Sequence, residues 1–231
     1  MIAGLQKITL LDFPGKVACT VFLAGCNYRC PFCHNAELFG RVTQPLMENA
    51  EFLRFLESRK GLLDGVCVSG GEPTLTADLE DLLRAIKALG YAVKLDTNGS
   101  RPAVLKALVG EGLVDYVAMD VKNSPARYPE TVGLSKADLP AVEESLRFLL
   151  SGAVDYELRT TVVSELHSQA DIDEMGVWVA SLGRPKKWFL QAFTDRDTVV
   201  FSGLSAPAAE ELTVYRQQLS AYAEQAAIRG L

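Results

Sequence analysis

From residue 17 onward, strand-like and helix-like segments alternate, and that rhythm restricts the chain to a narrow set of folds. "VACTVFLA" (17–24) and "GVCVSG" (65–70) are β-branched or apolar runs of strand length. "YAVKLD" (91–96), "VDYVAMDVK" (114–122), "VDYELRTTVV" (154–163) and "KKWFLQAF" (186–193) read the same way. Between them lie helical patterns at 49–60, 76–90, 101–110, 136–151, around Ile172, Met175, Val179 and Leu182, and at 207–226. In 76–90 the apolar residues Leu79, Leu82, Leu83, Ile86 and Leu89 recur at helical spacing, with Thr76 expected as N-cap and Gly90 as stop. Six β/α units predict a parallel sheet with crossover helices. An eight-unit barrel needs about 250 residues, and six units fill this chain, so an open doubly wound sheet and a partial (β/α)6 barrel with an open side both stay in play. No composition break or linker divides residues 1–231, which read as a single domain: a 1–16 N-terminal extension, then six units over 17–226.

The bulk numbers exclude several classes. A net charge of −6 lacks the basic footprint of a nucleic-acid binder. The apolar runs are strand-sized, so no membrane span is expected. "MIAGLQKITLLDFPGK" has no charged start, long apolar stretch and cleavage site of a secretory leader. The expected location is cytoplasmic, where thiols stay reduced. Five cysteines, three of them clustered, then favour metal binding or catalysis over disulfides.

The unusual polar residues fall where strands end. The cysteine loop follows the first strand, "SGGEPT" (69–74) the second and "DTNG" (96–99) the third, while "DVKN" (120–123) ends the fourth. Arg159 lies within the fifth strand and Gln191 near the end of the sixth. Parallel α/β folds bind ligands at the carboxyl ends of their strands. Each signature also has a plainer reading. "SGGEPT" and "DTNG" are possible turns, Asp120 and Lys122 a local ion pair, and Arg159 an outward-facing side chain. Cys19 and Cys67 read as small buried hydrophobes, and His167 as a loop residue without a role.

"AGCNYRCPFCHNAELFG" (24–40) places Cys26, Cys30 and Cys33 in a C-x3-C-x2-C spacing. Reduced, closely spaced thiolates bind soft metals. Zinc completed by His34 is one solution, although structural zinc usually uses paired short spacings separated by a longer gap. Three thiolates also suit a [4Fe–4S] cluster with one iron open to an outside ligand.

The motif with Phe32 before its third cysteine resembles the radical S-adenosylmethionine (SAM) superfamily, and "SGGEPT" resembles that family's glycine-rich motif. The stretch "LLDFPGKVACTVFLAGCNYRCPFCHNAEL" resembles the activating enzymes of glycyl-radical proteins, and within them the activators of the anaerobic ribonucleoside-triphosphate reductase. "LDTNG" and "MDVK" match the pyruvate formate-lyase activating branch. The resemblance implies a partial (β/α)6 barrel. It also implies Cys26, Cys30 and Cys33 as cluster ligands, with SAM chelating the open iron. Phe32 and His34 would lie beside the adenine, and Gly70, Gly71 and Glu72 at the SAM amino group. Asp120 and Lys122 would lie near the methionine and ribose, with Lys122 a carboxylate partner and Arg159 a further carboxylate contact. Asp96 and Thr97 match a site that in relatives also helps hold a monovalent cation. Flavodoxin or ferredoxin would reduce the cluster, SAM would yield a 5′-deoxyadenosyl radical, and that radical would take a hydrogen atom from a glycine of the partner under anaerobic conditions. Two departures are visible. Gln191 stands about where the lyase branch has histidine, and residues 41–64 carry no cysteine-rich ferredoxin-like insert. Activation of another glycyl-radical enzyme such as pyruvate formate-lyase, radical chemistry on a small molecule as in deazaguanine synthases, and a non-catalytic zinc-binding interaction protein are the competing readings.

Overall fold

The computed structural model of the protein describes residues 1–40 and 45–230. Eight strands follow sequence order in one sheet: β1 (Ile2–Thr9), β2 (Ala18–Leu23), β3 (Gly65–Gly70), β4 (Ala92–Thr97), β5 (Tyr116–Asp120), β6 (Asp155–Val162), β7 (Lys187–Ala192) and β8 (Gln225–Arg229). β1 runs antiparallel to β2, and the pairs β2–β3, β3–β4, β6–β7 and β7–β8 are parallel. The sheet is open, as a partial barrel requires, with β1 and β8 as its edges. The helices are α1 (Asn49–Glu57), α2 (Leu79–Ala88), α3 (Pro102–Gly110), α4 (Tyr128–Thr131), α5 (Leu139–Leu150), α6 (Gln169–Leu182) and α7 (Ala209–Leu219). Among the described residues no helix is long and apolar enough to cross a membrane.

The six strands expected from the sequence are β2 to β7. Two further strands were not anticipated. The N-terminal extension forms β1. The segment 207–226, expected as one helix, stops at Leu219 and returns as β8. "QAAIR" favours helix by composition, but the edge of β7 pairs with it from Lys187↔Gln225 to Gln191↔Arg229, and tertiary pairing overrides local propensity. A smaller correction concerns Thr76. It closes a 3-10 turn over Pro73–Leu75 by donating its N–H to Pro73 O at 2.9 Å, and α2 begins later.

The chain divides into two compact units. The first comprises Met1–Asn27, Glu37–Thr97 and Arg101–Ala118, and the second Tyr28–Ala36, Asn98–Ser100 and Met119–Leu231. In the first, Val66, Cys67 and Val68 of β3 are fully buried, as expected of a parallel strand covered on both faces. α2 buries Leu79, Leu82, Leu83 and Ile86 along one stripe, each contributing about 2 kcal/mol of hydrophobic stabilisation before entropy. Phe13 anchors the turn after β1 against Ala18 and Tyr116.

In the second unit, Tyr128, Val142, Leu146, Leu149, Ile172, Met175 and Trp188 are fully buried. α6 starts with a reciprocal cap: Ser168 Oγ accepts from Asp171 N–H at 3.2 Å while the Asp171 carboxylate accepts from Ser168 N–H at 2.8 Å. β6 alternates. Tyr156, Leu158, Thr160 and Val162 face one side, and Glu157, Arg159 and Thr161 the other. Glu157 is fully buried. Its two oxygens accept from both terminal nitrogens of Arg229 on β8 at 2.7 and 2.8 Å, and the guanidinium lies 4.1 Å from the centroid of the Phe189 ring. A bidentate pair of this kind ties β8 down across β7. Arg229→Ala removes the bidentate partner of a fully buried carboxylate, so urea unfolding is expected to show a loss of about 2–3 kcal/mol. A stability within error of the parent would show that β8 is held by its backbone pairing alone.

Candidate active site

In the first unit the glycine-rich turn is built against the start of the cysteine loop. Gly71 N–H donates to Leu23 O at 2.9 Å and Glu72 N–H to Gly25 O at 2.8 Å, so β2–β3 pairing runs past the strands themselves. A Cβ on Gly71 would stand 2.2 Å from Gly25 O and 3.2 Å from the Cys26 Cβ, and one on Gly70 2.3 Å from Leu23 O. Both glycines are therefore required by backbone approach, which is more than a turn demands. Cys26 is half-buried. Glu72 is fully buried, and its Oε1 accepts from Thr74 N–H at 3.1 Å, Thr74 Oγ1 at 2.5 Å and Thr97 Oγ1 at 2.8 Å. Asp96 accepts from Ser69 Oγ at 3.0 Å and pairs with Lys94. Cys67 is fully buried beside this pair, and Cys19 is fully buried as well. Burial pushes the Cys19 thiol up to about 12.

In the second unit Cys30 is buried and Cys33 half-buried, joined by a turn in which Cys33 N–H donates to Cys30 O at 3.1 Å. Asp120 bridges two cations, with one oxygen 2.9 Å from Lys122 Nζ and the other 3.0 Å from Arg159 Nε. The local ion pair is thus real, and Arg159 turns toward it rather than outward. Lys122 Nζ also lies 6.0 Å from the ring centroid of the buried Phe32. Burial works against the Lys122 ammonium, but Asp120, Cys30 and Cys33 outweigh it and keep it protonated above its ordinary range. Burial raises the Cys33 thiol; the Asn35 N–H and the Lys122 charge act in the opposite direction. His34 Nε2 lies 2.6 Å from Thr194 O and the ring stacks on Phe193, 5.9 Å between centroids. Facing a carbonyl, Nε2 is a donor, so that nitrogen is unavailable as a zinc ligand. Gln191 Nε2 donates to Thr161 Oγ1 at 3.2 Å.

Two residues given no role by the sequence reading belong here. His167 is 1% exposed. Its Nε2 lies 2.8 Å from Lys122 O, and its Nδ1 accepts from Val163 N–H at 3.1 Å. One neutral tautomer satisfies both bonds and fixes the backbone of Lys122 to the end of β6. Nothing in "VVSELHS" signals this, since both partners are backbone atoms. Lys94 had a signal: a lysine alternating with Asp96 in an otherwise apolar strand.

The donor chemistry fits an iron–sulfur cluster with a carboxylate-bearing cofactor. Cys26, Cys30 and Cys33 form no disulfide, and the Lys122 charge offsets part of the burial that raises the Cys33 thiol. Among the described residues no three His, Cys, Asp or Glu side chains stand together around a single ion. The thiolates of a cluster bind different irons and are spaced by the cluster's own sulfides. A monovalent cation at Asp96 does not fit, because Lys94 and Ser69 hold that carboxylate.

An open parallel α/β sheet carrying a C-x3-C-x2-C loop after its first parallel strand defines a class of iron–sulfur enzyme. Residues 20–163 match the model of the Radical SAM superfamily, and the chain belongs to that superfamily. The "Putative glycyl-radical enzyme activating enzyme MJ1227" of Methanocaldococcus jannaschii is 29% identical over 242 residues, covering 100% of this chain and 96% of that protein. A 7-carboxy-7-deazaguanine synthase of Hyperthermus butylicus is 35% identical over 39% of this chain and 38% of its own length. A domain of pyruvate-formate lyase-activating enzyme from Bacteroides vulgatus shares the fold, with TM-score 0.58 and 19% identity over 72% of this chain and 99% of that domain. The protein is thus a radical SAM enzyme, and its family implies a [4Fe–4S] cluster and SAM.

Anaerobically reconstituted protein is expected to bind about four iron and four sulfide per chain. Alanine at Cys26, Cys30 or Cys33 should abolish this, while Cys19→Ala retains it; stoichiometric zinc in place of iron would reverse the assignment. A second expectation concerns pH. Burial lowers the pKa of His167 below its ordinary 6.5, so the unfolded chain takes up that proton before the folded one does. The stabilisation present at neutral pH is therefore lost as pH falls below about 6.5, by at most about 1.4 kcal/mol per pH unit. Urea midpoints compared between the parent and His167→Gln should converge on acidification; parallel curves would mean that His167 does not carry this dependence.

Proposed function

We propose that the protein generates a glycyl radical on a partner enzyme, and that the partner is the anaerobic ribonucleoside-triphosphate reductase. The observation that carries the glycyl-radical reading is the full-length likeness to MJ1227, over 100% of this chain. The choice of reductase rests on the stretch from Leu10 to Leu38, on the absence of a cysteine-rich insert between residues 41 and 64, and on Gln191 where the lyase branch has histidine.

In this reading the whole chain works as one radical SAM domain in the cytoplasm. The cluster held by Cys26, Cys30 and Cys33, once reduced by flavodoxin or ferredoxin, supplies reductive cleavage of SAM. The chain's own residues bind and orient. The backbone of Gly70 and Gly71 with buried Glu72 receives the SAM amino group, and Thr74 and Thr97 hold Glu72 in place. Lys122, steadied by Asp120 and by His167 behind its carbonyl, receives the carboxylate, with Arg159 as a further cation. Phe32 and His34 flank the adenine, His34 being fixed by its bond to Thr194 O. Gln191 is a neutral donor toward the ribose or methionine portion.

A second reading, a small-molecule substrate, has the match to the deazaguanine synthase behind it. One experiment separates them. Reduced protein, SAM and the anaerobic ribonucleotide reductase are expected to give a glycyl-radical signal by electron paramagnetic resonance, with no small molecule added. A signal on a different glycyl-radical enzyme and none on the reductase would replace the partner. No signal on any such enzyme, with SAM consumed only when a purine-like substrate is supplied, would replace the class.

A further inference from the structure

We propose that the ammonium of Lys94 stands permanently in the place of a monovalent cation at Asp96, so that this protein carries its own cation and uses neither sodium nor potassium there. Alternation along β4 puts Lys94 and Asp96 on one face, while Val93 and Leu95 are fully buried on the other. Lys94 is 1% exposed, one of the largest fully buried side chains in the protein. A buried ammonium requires an anion fixed beside it, and Asp96 Oδ1 is that anion.

The rest of the neighbourhood supports the substitution. The second oxygen of Asp96 accepts from Ser69 Oγ at 3.0 Å. The Thr97 hydroxyl donates to Glu72. The Cys67 sulfur lies 3.7 Å from both Lys94 Nζ and Asp96 Oδ1, and a neutral thiol is a poor ligand for a hard cation. A sodium or potassium ion at Asp96 would have to approach an ammonium already seated there, and like charges at such range in a poorly screened interior repel strongly. An alkylammonium head matches potassium in charge and approaches it in size, so the chain needs no diffusible ion to neutralise the carboxylate.

The inference concerns the same SAM site as the proposed function, but its readout needs neither SAM nor a partner, so either can fail without the other. Thermal melting of the parent and of Lys94→Met, which keeps the apolar stem and removes the charge, is compared in tetramethylammonium, sodium and potassium chloride at equal ionic strength of about 0.1 M. Parent protein is expected to melt at the same temperature in all three salts. Lys94→Met should melt about 10 °C lower in tetramethylammonium, with Asp96 deprived of the Lys94 ammonium, and should regain part of that loss in sodium or potassium. Thallium(I) nuclear magnetic resonance should show a bound ion in Lys94→Met and none in the parent. A parent that gains stability or binds thallium with the small cations overturns the inference, as does a variant indifferent to all of them. If Lys94→Met does not fold, Lys94→Gln and the parent titration decide by the same criteria.

Discussion

The backbone at Gly71 comes so close to the carbonyl of Gly25 that no side chain fits between them, and the placing of Cys26 and Glu72 depends on that approach. The two hydrogen bonds from Gly71 and Glu72 extend the β2–β3 ladder into the start of the cysteine loop, so Cys26 is placed by the sheet. The same turn carries Glu72 into a fully buried position, where a carboxylate persists only with donors aimed at it. Thr74 supplies them from the next turn and Thr97 from the end of β4. "SGGEPT" and "DTNG" are two halves of one hydrogen-bonded arrangement.

The second unit solves a different problem, holding several charges in a partly buried place. Asp120 sits between Lys122 and Arg159, so neither cation lacks an anion. The carbonyl of Lys122 is fixed by an imidazole that faces only backbone. β6 has an apolar face and a face bearing Glu157, Arg159 and Thr161. That pattern is unusual for a central parallel strand, whose two faces normally read as one continuous apolar run. On the charged face Arg159 meets Asp120 and Glu157 ties down β8, while the apolar face packs in the core.

Much of this was legible in the residues. Strands β2 to β7 announce themselves because each is a short apolar run followed by turn chemistry, and the helices between them because their leucines recur at helical spacing. The ends of those strands drew attention to Glu72, Asp120 and Lys122, whose side chains the fold holds in hydrogen bonds and ion pairs. The edges did not. β1 and β8 form because an adjacent strand offers unpaired backbone groups, and an alanine-rich stretch contains no trace of that offer. His167 was hidden for a related reason, since its bonds run to main-chain atoms whose positions only the fold determines. The Lys94–Asp96 pair was legible as well, since strand alternation puts a lysine two residues upstream on the same face as the motif's aspartate.

The pairing of Glu157 with Arg229 spans 72 residues, which sets an order of events during synthesis. A ribosome adding about 5–20 residues per second needs roughly 4–14 s to produce the arginine after the glutamate. For that interval the carboxylate lacks the bidentate Arg229 guanidinium, and desolvating it without that partner is costly. Its end of β6 is therefore held back in water while the first unit, complete in sequence by Ala118, is free to fold. Arrival of the arginine removes the obstacle, so the nascent chain matures from its amino-terminal unit toward its last strand.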